Sequence, residues 1–315
     1  MEFDSLREEL AYITRKASAM KEISDAVSQK GFIRYEPDYL EDHDAFLEMN
    51  RRIRKETLVR LIEPDGTLSV LRPDITRAIV RRLVPRWEEG LVFRLHYDAT
   101  MFKRVPSGKT REVRQFGIEV LGDGSGAADL EVLLAAADIF ARFSLRFKIV
   151  IGHNAFLRSV IKASGLSADD QRTLYGLLMR KDRDGLDAFI RDHGIQGSVF
   201  SKLTALEGTL SDIRGMLEGD GNDALTRSME SLEAIDDAFR TAGIGENVIF
   251  DLGLVTRYDH YEGIVFKGYL KGCPEAVLQG GRYDPLTRQF KADVPAVGCS
   301  IDIERLIREV TRHGA

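Results

Sequence analysis

The sequence predicts an α+β protein, an antiparallel sheet flanked by helices with a helical insertion. Three observations carry this prediction. Strand-like runs come in neighbouring pairs, as in Val59–Glu63 and Leu68–Leu71 around the turn signal Pro64-Asp65-Gly66. The stretch from about 155 to 243 is punctuated by Gly165, Gly194, Gly208 and Gly243 and reads as a succession of helices. Strands resume beyond it without βαβ alternation, which disfavours a doubly wound sheet. The predicted division is a core of residues 1–153 and 245–315 with an insertion of 154–244.

The elements follow in order. Leu6, Leu10, Ile13, Ala17, Met20 and Val27 recur at helical spacing between charged residues, so a first helix runs to Gly31. Its apolar stripe reads either as a core-facing surface or as a dimer seam. Phe32–Pro37 is a short alternating strand closed by proline. Pro73 stops the Leu68–Leu71 strand, and Asp74 or Thr76 is placed to cap a helix running toward Leu83. Leu91–Tyr97 and Arg114–Leu121 form another strand pair, with a polar tip from Lys103 to Arg111. An apolar helix over Asp129–Phe143 leads to the strand Phe147–Gly152. Ser167–Asp170 has the form of a capping box inside the insertion. The strands Val248–Leu254, Gly263–Tyr269 and Ala296–Ile301 and a last helix, Glu304–Val310, complete the chain.

Composition narrows the function. The chain has 315 residues, 43% hydrophobic and 30% charged, enough for roughly two domains with ordinary solvated surfaces. Its 45 Lys and Arg against 50 Asp and Glu leave a net charge of −5, which disfavours a protein whose main work is gripping nucleic acid. Cys273 and Cys299 form no CxxC and suit a reducing compartment. The start, MEFDSLREEL, lacks the apolar region of a signal peptide, and the most apolar run, Val132–Phe140, is too short to span a bilayer. A cytoplasmic protein without membrane contact is expected.

Several local patterns are weak. Gly122-Asp123-Gly124-Ser125-Gly126 lacks the lysine of a P-loop and reads as a plain loop. Asp42-His43-Asp44 is the densest patch around a histidine, but a chelate would need ligands from elsewhere, so a solvated loop and no metal are expected. Arg51-Arg52-Ile53-Arg54-Lys55 reads as a solvated basic face, with contact to an anionic ligand or an acidic partner as the alternative.

Four separated segments share one chemistry of carboxylates, amides and arginines on strand-like runs. They are Leu71–Thr76, Arg111–Glu119, Tyr258–Gly263, and Gly280–Asp284 followed by Val297-Gly298 and Arg305. Gln115 and Glu119 are four apart and share a strand face, as do Asp259 and Tyr261. A carboxylate, an amide and a hydroxyl converging in a sheet pocket suit a small cationic ligand such as an amino acid. The competing reading has Glu119 paired with Arg111 or Arg114 as a structural element.

In order and wording these segments resemble the catalytic core of histidyl-tRNA synthetase, a class II aminoacyl-tRNA synthetase fold. The motifs are LRPDIT, RQFGIEVLG, YDHYEGIVF, GGRYD and AVGCSIDIERL, spread over about residues 5 to 310 outside the insertion. The resemblance implies a histidine-binding set of Asp74, Thr76, Gln115, Glu119, His260 and Tyr261, with His260 in place of the first tyrosine of a Tyr-Tyr pair. Arg305 matches the third-motif arginine that contacts ATP, and Lys103, Arg104, Arg257 and Arg282 complete the candidate anion or effector contacts.

The departures from that family point away from catalysis. The synthetase's Phe-Arg-x-Glu is Phe102-Lys103-Arg104-Val105 here, so a point charge replaces a planar fork and the glutamate is gone. Thr256 stands where the synthetase has an arginine, with Arg257 one residue later, and Asp302 replaces a glycine near the triphosphate. Ten residues follow Arg305, where the synthetase has an anticodon-binding domain. A histidine pocket without ATP chemistry resembles the regulatory-subunit family of ATP phosphoribosyltransferase. That resemblance implies a homodimer that activates a short-form catalytic subunit and mediates feedback inhibition by L-histidine, with no tRNA, cofactor or catalytic residue of its own. The rival reading is a stand-alone histidine-activating or aminoacyl-transferring enzyme using the same pocket.

Overall fold

The computed structural model describes residues 4–49, 55–105, 107–195, 198–217, 223–256 and 261–313. Two compact units are present: residues 1–124, 135–145 and 284–315 form one, and residues 125–134 and 146–283 the other.

The first unit opens with α1 (Leu6–Gln29), capped by the Ser5 hydroxyl. Short strands β1 (Ile33–Arg34) and β2 (Leu40–Asp42) lead to α2 (His43–Met49). Next come β3 (Arg60–Ile62) and β4 (Leu68–Leu71), which join β2 in a small sheet of order β2-β4-β3. Then come α3 (Ile75–Leu83) and the long hairpin of β5 (Phe93–Arg104) and β6 (Thr110–Leu121). Both hairpin strands are longer than expected: the ladder runs on to Arg104 and Thr110, although Arg104, Thr110, Arg111 and Glu112 at its tip are polar and exposed. The helix α4 (Gly126–Arg142) is divided between the units at Leu134.

The second unit continues with β7 (Phe147–His153) and the helical block α5 (Asn154–Ala163), α6 (Ala168–Met179), α7 (Arg183–Asp192) and α8 (Ser198–Lys202). A two-residue strand β8 (Glu207–Gly208), α9 (Leu210–Met216) and α10 (Asp223–Thr241) close that block. The Ser167 cap on α6 is present, and a complete capping box stands at Thr209 and Asp212. Then follow β9 (Val248–Asp251), β10 (Ile264–Leu270) and β11 (Leu278–Arg282), in strand order β11-β10-β7-β9-β8. The chain finishes in the first unit with α11 (Asp284–Arg288), β12 (Ala296–Asp302) and α12 (Ile303–His313), where the order is β1-β5-β6-β12.

Three expectations need correction. The pairing is mixed rather than wholly antiparallel, because β1 runs parallel to β5 and β7 parallel to β9. Parallel neighbours need a long crossover, and the helical block between β7 and β9 supplies one. The strand β11 begins two residues before the strand-like run Gly280–Asp284 and ends at Arg282, so that run is displaced from its expected bounds. His43 is not in a solvated loop: it is buried at the start of α2, with Nδ1 2.8 Å from Asp44 Oδ1. Arg51–Arg54 lie outside the described residues.

The helix α1 divides the two readings of its stripe. Ala19, Ile23, Ala26 and Val27 face the core, whereas Leu6, Leu10 and Ile13 are 70%, 54% and 52% exposed. Tyr12 and Lys16 on its other side bond Glu304 of α12, and Arg15 donates to the Thr311 carbonyl at 3.1 Å. No helix among the described residues is long and apolar enough to cross a membrane.

Candidate functional site

The first unit buries a carboxylate. Glu119, 1% exposed, stands on β6 opposite Leu95 of β5 and Gly298 of β12. Its Oε1 accepts a hydrogen bond from the Thr76 hydroxyl at 2.7 Å. Thr76 is there because the preceding residues fix the start of α3. Arg72 is fully buried and donates to the carbonyls of Thr100, at 2.7 Å, and of Pro37, which pins the segment. Asp74 then caps the helix, its Oδ1 accepting from the Arg77 N–H at 2.9 Å. Two residues into the first turn, the threonine hydroxyl meets the carboxylate.

The other oxygen of Glu119 lies against β12. A Cβ built on Gly298 would stand 1.6 Å from Oε2, so position 298 admits only glycine in this arrangement. Tyr97 uses the same device one strand over. Its ring lies across β6 at Gly117, where a Cβ would stand 2.2 Å from Cζ. Burial, with the Glu119 charge as the next cause, pushes both the Tyr97 phenol and the Cys299 thiol well above their usual ranges, so both stay protonated. Gln115 is half-buried on the same strand face, opposite Ala99 and Asp302. Arg114, the suggested structural partner of Glu119, is instead held by Asp98 through two bonds of 2.7 Å, and Arg111 is exposed opposite Lys103.

The candidate cations meet different fates. Lys103 and Arg104 lie at the far end of the β5–β6 ribbon. Lys103 is eight positions along β5 from Leu95, roughly 25 Å at strand rise. Arg305 lies in the first turn of α12 beside the residue that starts it: Asp302 Oδ1 accepts its backbone N–H at 3.1 Å, and Oδ2 is 3.3 Å from its Nε. A carboxylate therefore occupies the arginine that the synthetase resemblance assigns to ATP.

In the second unit the Tyr261 ring covers Gly281, where a Cβ would stand 2.7 Å from Cδ1, and its carbonyl accepts from the Asn154 amide. Arg282, 8% exposed, is held by Asp129 Oδ1 at 2.8 Å from Nη2 and by the Ser125 carbonyl at 3.1 Å. Arg257 and His260 lie outside the described residues, with Tyr258 and Asp259. Among the described residues no group of three or more His, Cys, Asp or Glu could hold a metal ion.

Tyr97 is absent from the sequence-derived set. The signal for it is Gly117, an interior strand glycine two residues before Glu119 on the same face, which marks a close approach by a neighbour.

Known proteins match over most of the chain. A family model described as histidyl-tRNA synthetase matches residues 5–306. The ATP phosphoribosyltransferase regulatory subunit of Clostridium acetobutylicum is 32% identical over 279 residues, covering 85% of this chain and 68% of that protein. The crystal structure of an ATP phosphoribosyltransferase regulatory subunit/histidyl-tRNA synthetase from Bacillus halodurans gives a TM-score of 0.82 at 24% identity, covering 95% of this chain and 79% of that one. A chain of an ATP phosphoribosyl transferase complex from Thermotoga maritima gives 0.73 at 18% identity, covering 90% and 96%. At these identities the two structures establish the fold, which is class II synthetase-like.

Proposed function

The chain belongs to the histidyl-tRNA synthetase family and, within it, to the ATP phosphoribosyltransferase regulatory subunits, and from that premise we propose that it is the non-catalytic, histidine-sensing partner of a short-form catalytic subunit. That partner transfers phosphoribosyl from phosphoribosyl pyrophosphate to ATP in the first step of histidine biosynthesis. This chain activates it on assembly and restrains it when histidine fills the Glu119 site. The assembling unit is a homodimer, and tRNA is not a ligand.

The observation that carries this reading is the contrast between Glu119 and Arg305. A buried carboxylate is preserved, oriented by Thr76 and fitted to Gly298. The arginine that would hold phosphate charge is turned onto Asp302 instead. Such a site favours an ammonium or imidazolium group and opposes a polyphosphate. The assembly part is supported by the names of the relatives and by the Thermotoga maritima complex. The outward stripe of Leu6, Leu10 and Ile13 supports the homodimer. The experiment is reconstitution: mixing this chain with the short-form catalytic subunit should raise both the native mass and the phosphoribosyl-transfer rate, and histidine should lower the rate.

The enzyme reading needs cationic contacts to ATP near Glu119. The position of Lys103 and the Asp302–Arg305 pair both oppose it. Preorganised contacts of that kind are worth about 2.7–4 kcal/mol apiece, so their loss should leave histidine-dependent exchange of pyrophosphate into ATP undetectable. Measurable exchange by the purified chain would overturn the regulatory reading.

A further inference from the structure

We infer that Glu41 is a positioning residue of the Glu119 site, its buried carboxylate holding α3 through Arg77 and Arg81 so that the Thr76 hydroxyl stays aimed at Glu119. The inference rests on the reading that histidine binds at Glu119.

A carboxylate is sealed under the small sheet. The strand β2 alternates exposed, buried, exposed, and Glu41 at its centre faces inward beside Val70 of β4. Val70, Phe46 and Leu58 make an apolar cluster there, a setting that carboxylates rarely enter unless paired. The Glu41 side chain is 1% exposed, and its Oε2 lies 3.7 Å from Arg77 Nε and 3.4 Å from Arg81 Nε. Neither Glu41 oxygen accepts a hydrogen bond from a described residue, so the two guanidinium charges are what compensates it. Burial pushes its carboxyl above the ordinary range, and the two arginines oppose that rise.

Both arginines belong to α3 and stand one turn apart on one face of the helix. One carboxylate on β2 therefore holds α3 at two points, which opposes sliding and rolling alike. Arg77 is also packed against two rings, its guanidinium 4.9 Å from the Phe46 centroid and 5.2 Å from that of Phe290. Its backbone N–H is the one that donates to Asp74 at 2.9 Å, so side chain and main chain of the same residue are both fixed. Thr76 precedes it by one residue, about 100° around the helix. From there its hydroxyl reaches Glu119 Oε1 at 2.7 Å. A roll of α3 by about 10° would carry an atom roughly 5 Å from its axis by about 1 Å, enough to lose that hydrogen bond. Removing the Glu41 charge leaves Arg77, 3% exposed, as a buried cation that gains by turning toward water, and the helix turns with it.

The test is calorimetric titration of the full chain with L-histidine, read beside the melting temperature. Glu41→Gln, which keeps the shape and removes the charge, should weaken histidine binding about three- to tenfold. Thr76→Val should weaken it at least as much. Because Glu41 acts through Thr76, adding Glu41→Gln to Thr76→Val should change binding by less than about twofold. Val70→Ala is the control for stability alone: it opens a cavity beside Glu41 and should lower the melting temperature, while binding stays within about twofold of the wild type. Equal losses from Glu41→Gln in both backgrounds would overturn the inference, as would an unchanged Glu41→Gln beside a weakened Glu119→Gln. So would a Val70→Ala variant that loses histidine as Glu41→Gln does. If Glu119→Gln and Thr76→Val both bind histidine normally, the site reading itself falls and takes this inference with it. Should Glu41→Gln fail to fold, Arg77→Lys decides, since it keeps the charge but not the planar fork: a loss of about threefold or more supports the inference, and any smaller loss sinks it.

Discussion

Glu119 Oε2 occupies the space that a side chain at Gly298 would need, the nearest Cβ position being 1.6 Å away. The glycine of the Val297-Gly298 motif is thereby explained by a protein group. Gly298→Ala should push the carboxylate off its Thr76 contact or bend β12, at a cost of about 1–3 kcal/mol from overpacking. Histidine affinity should fall at least tenfold in calorimetry, with a lowered melting temperature. A variant that binds normally would place the ligand away from this carboxylate.

Much of this arrangement is legible in the sequence, and the limits are physical. Asp74 or Thr76 is read as the cap that follows Pro73, and of the two Asp74 caps α3. The even spacing of Gln115 and Glu119 gives their shared face directly. Tyr97 is not legible, because its role depends on a glycine in another strand whose register only the ladder fixes. The parallel β1–β5 and β7–β9 pairs are illegible for the same reason: alternation reports a strand, not the direction of its neighbour. The Asp302–Arg305 pairing follows from helix capping at a distance of three residues, a local pattern that could have been read.

A histidine outside the site sets a pH limit on stability. Burial pushes His153 down to about 4, and its Nδ1 is 3.1 Å from the Ser228 hydroxyl. The unfolded chain protonates this ring below its ordinary value of about 6.5, whereas the folded chain resists until about 4. Its contribution to stability is therefore complete above about pH 6.5, falls as the pH drops through that window, and is flat below. At pH 4.5 the linked loss is about 2.5 kcal/mol. Urea unfolding of the wild type and His153→Gln at pH 7 and 4.5 should show that extra loss in the wild type alone. Parallel pH dependence in the two proteins would remove His153 as its source.

The outward stripe on α1 makes assembly testable. Leu10 and Ile13 are half or more exposed and make up one face with Leu6. A charge placed in an apolar seam leaves an ion to be desolvated, which costs far more than the lost contact. Ile13→Glu should shift sedimentation from dimer to monomer at micromolar concentration, while circular dichroism and the bonds of Tyr12 and Lys16 to Glu304 are retained. A dimer that survives Ile13→Glu and Leu10→Glu together would move the seam to another surface.

Feedback control should follow the same carboxylate. Charge-assisted hydrogen bonds are worth roughly 1.5–3 kcal/mol, so Glu119→Gln, which keeps the shape and one acceptor, should weaken histidine binding about ten- to a hundredfold. The Thr76 hydroxyl can still donate to the amide oxygen, so the local fold should hold. Assembly with the catalytic subunit and its activation should persist, because the exchanged group is buried and nearly isosteric. Linkage then requires the inhibition curve to move to higher histidine by the same factor as the binding curve, since one equilibrium is read in two ways. Titrating histidine against the assembled complex, wild type beside Glu119→Gln, measures both factors. Weakened binding with an unmoved inhibition curve would separate this pocket from the inhibitory site, and the control of phosphoribosyl transfer would have to originate elsewhere in the complex.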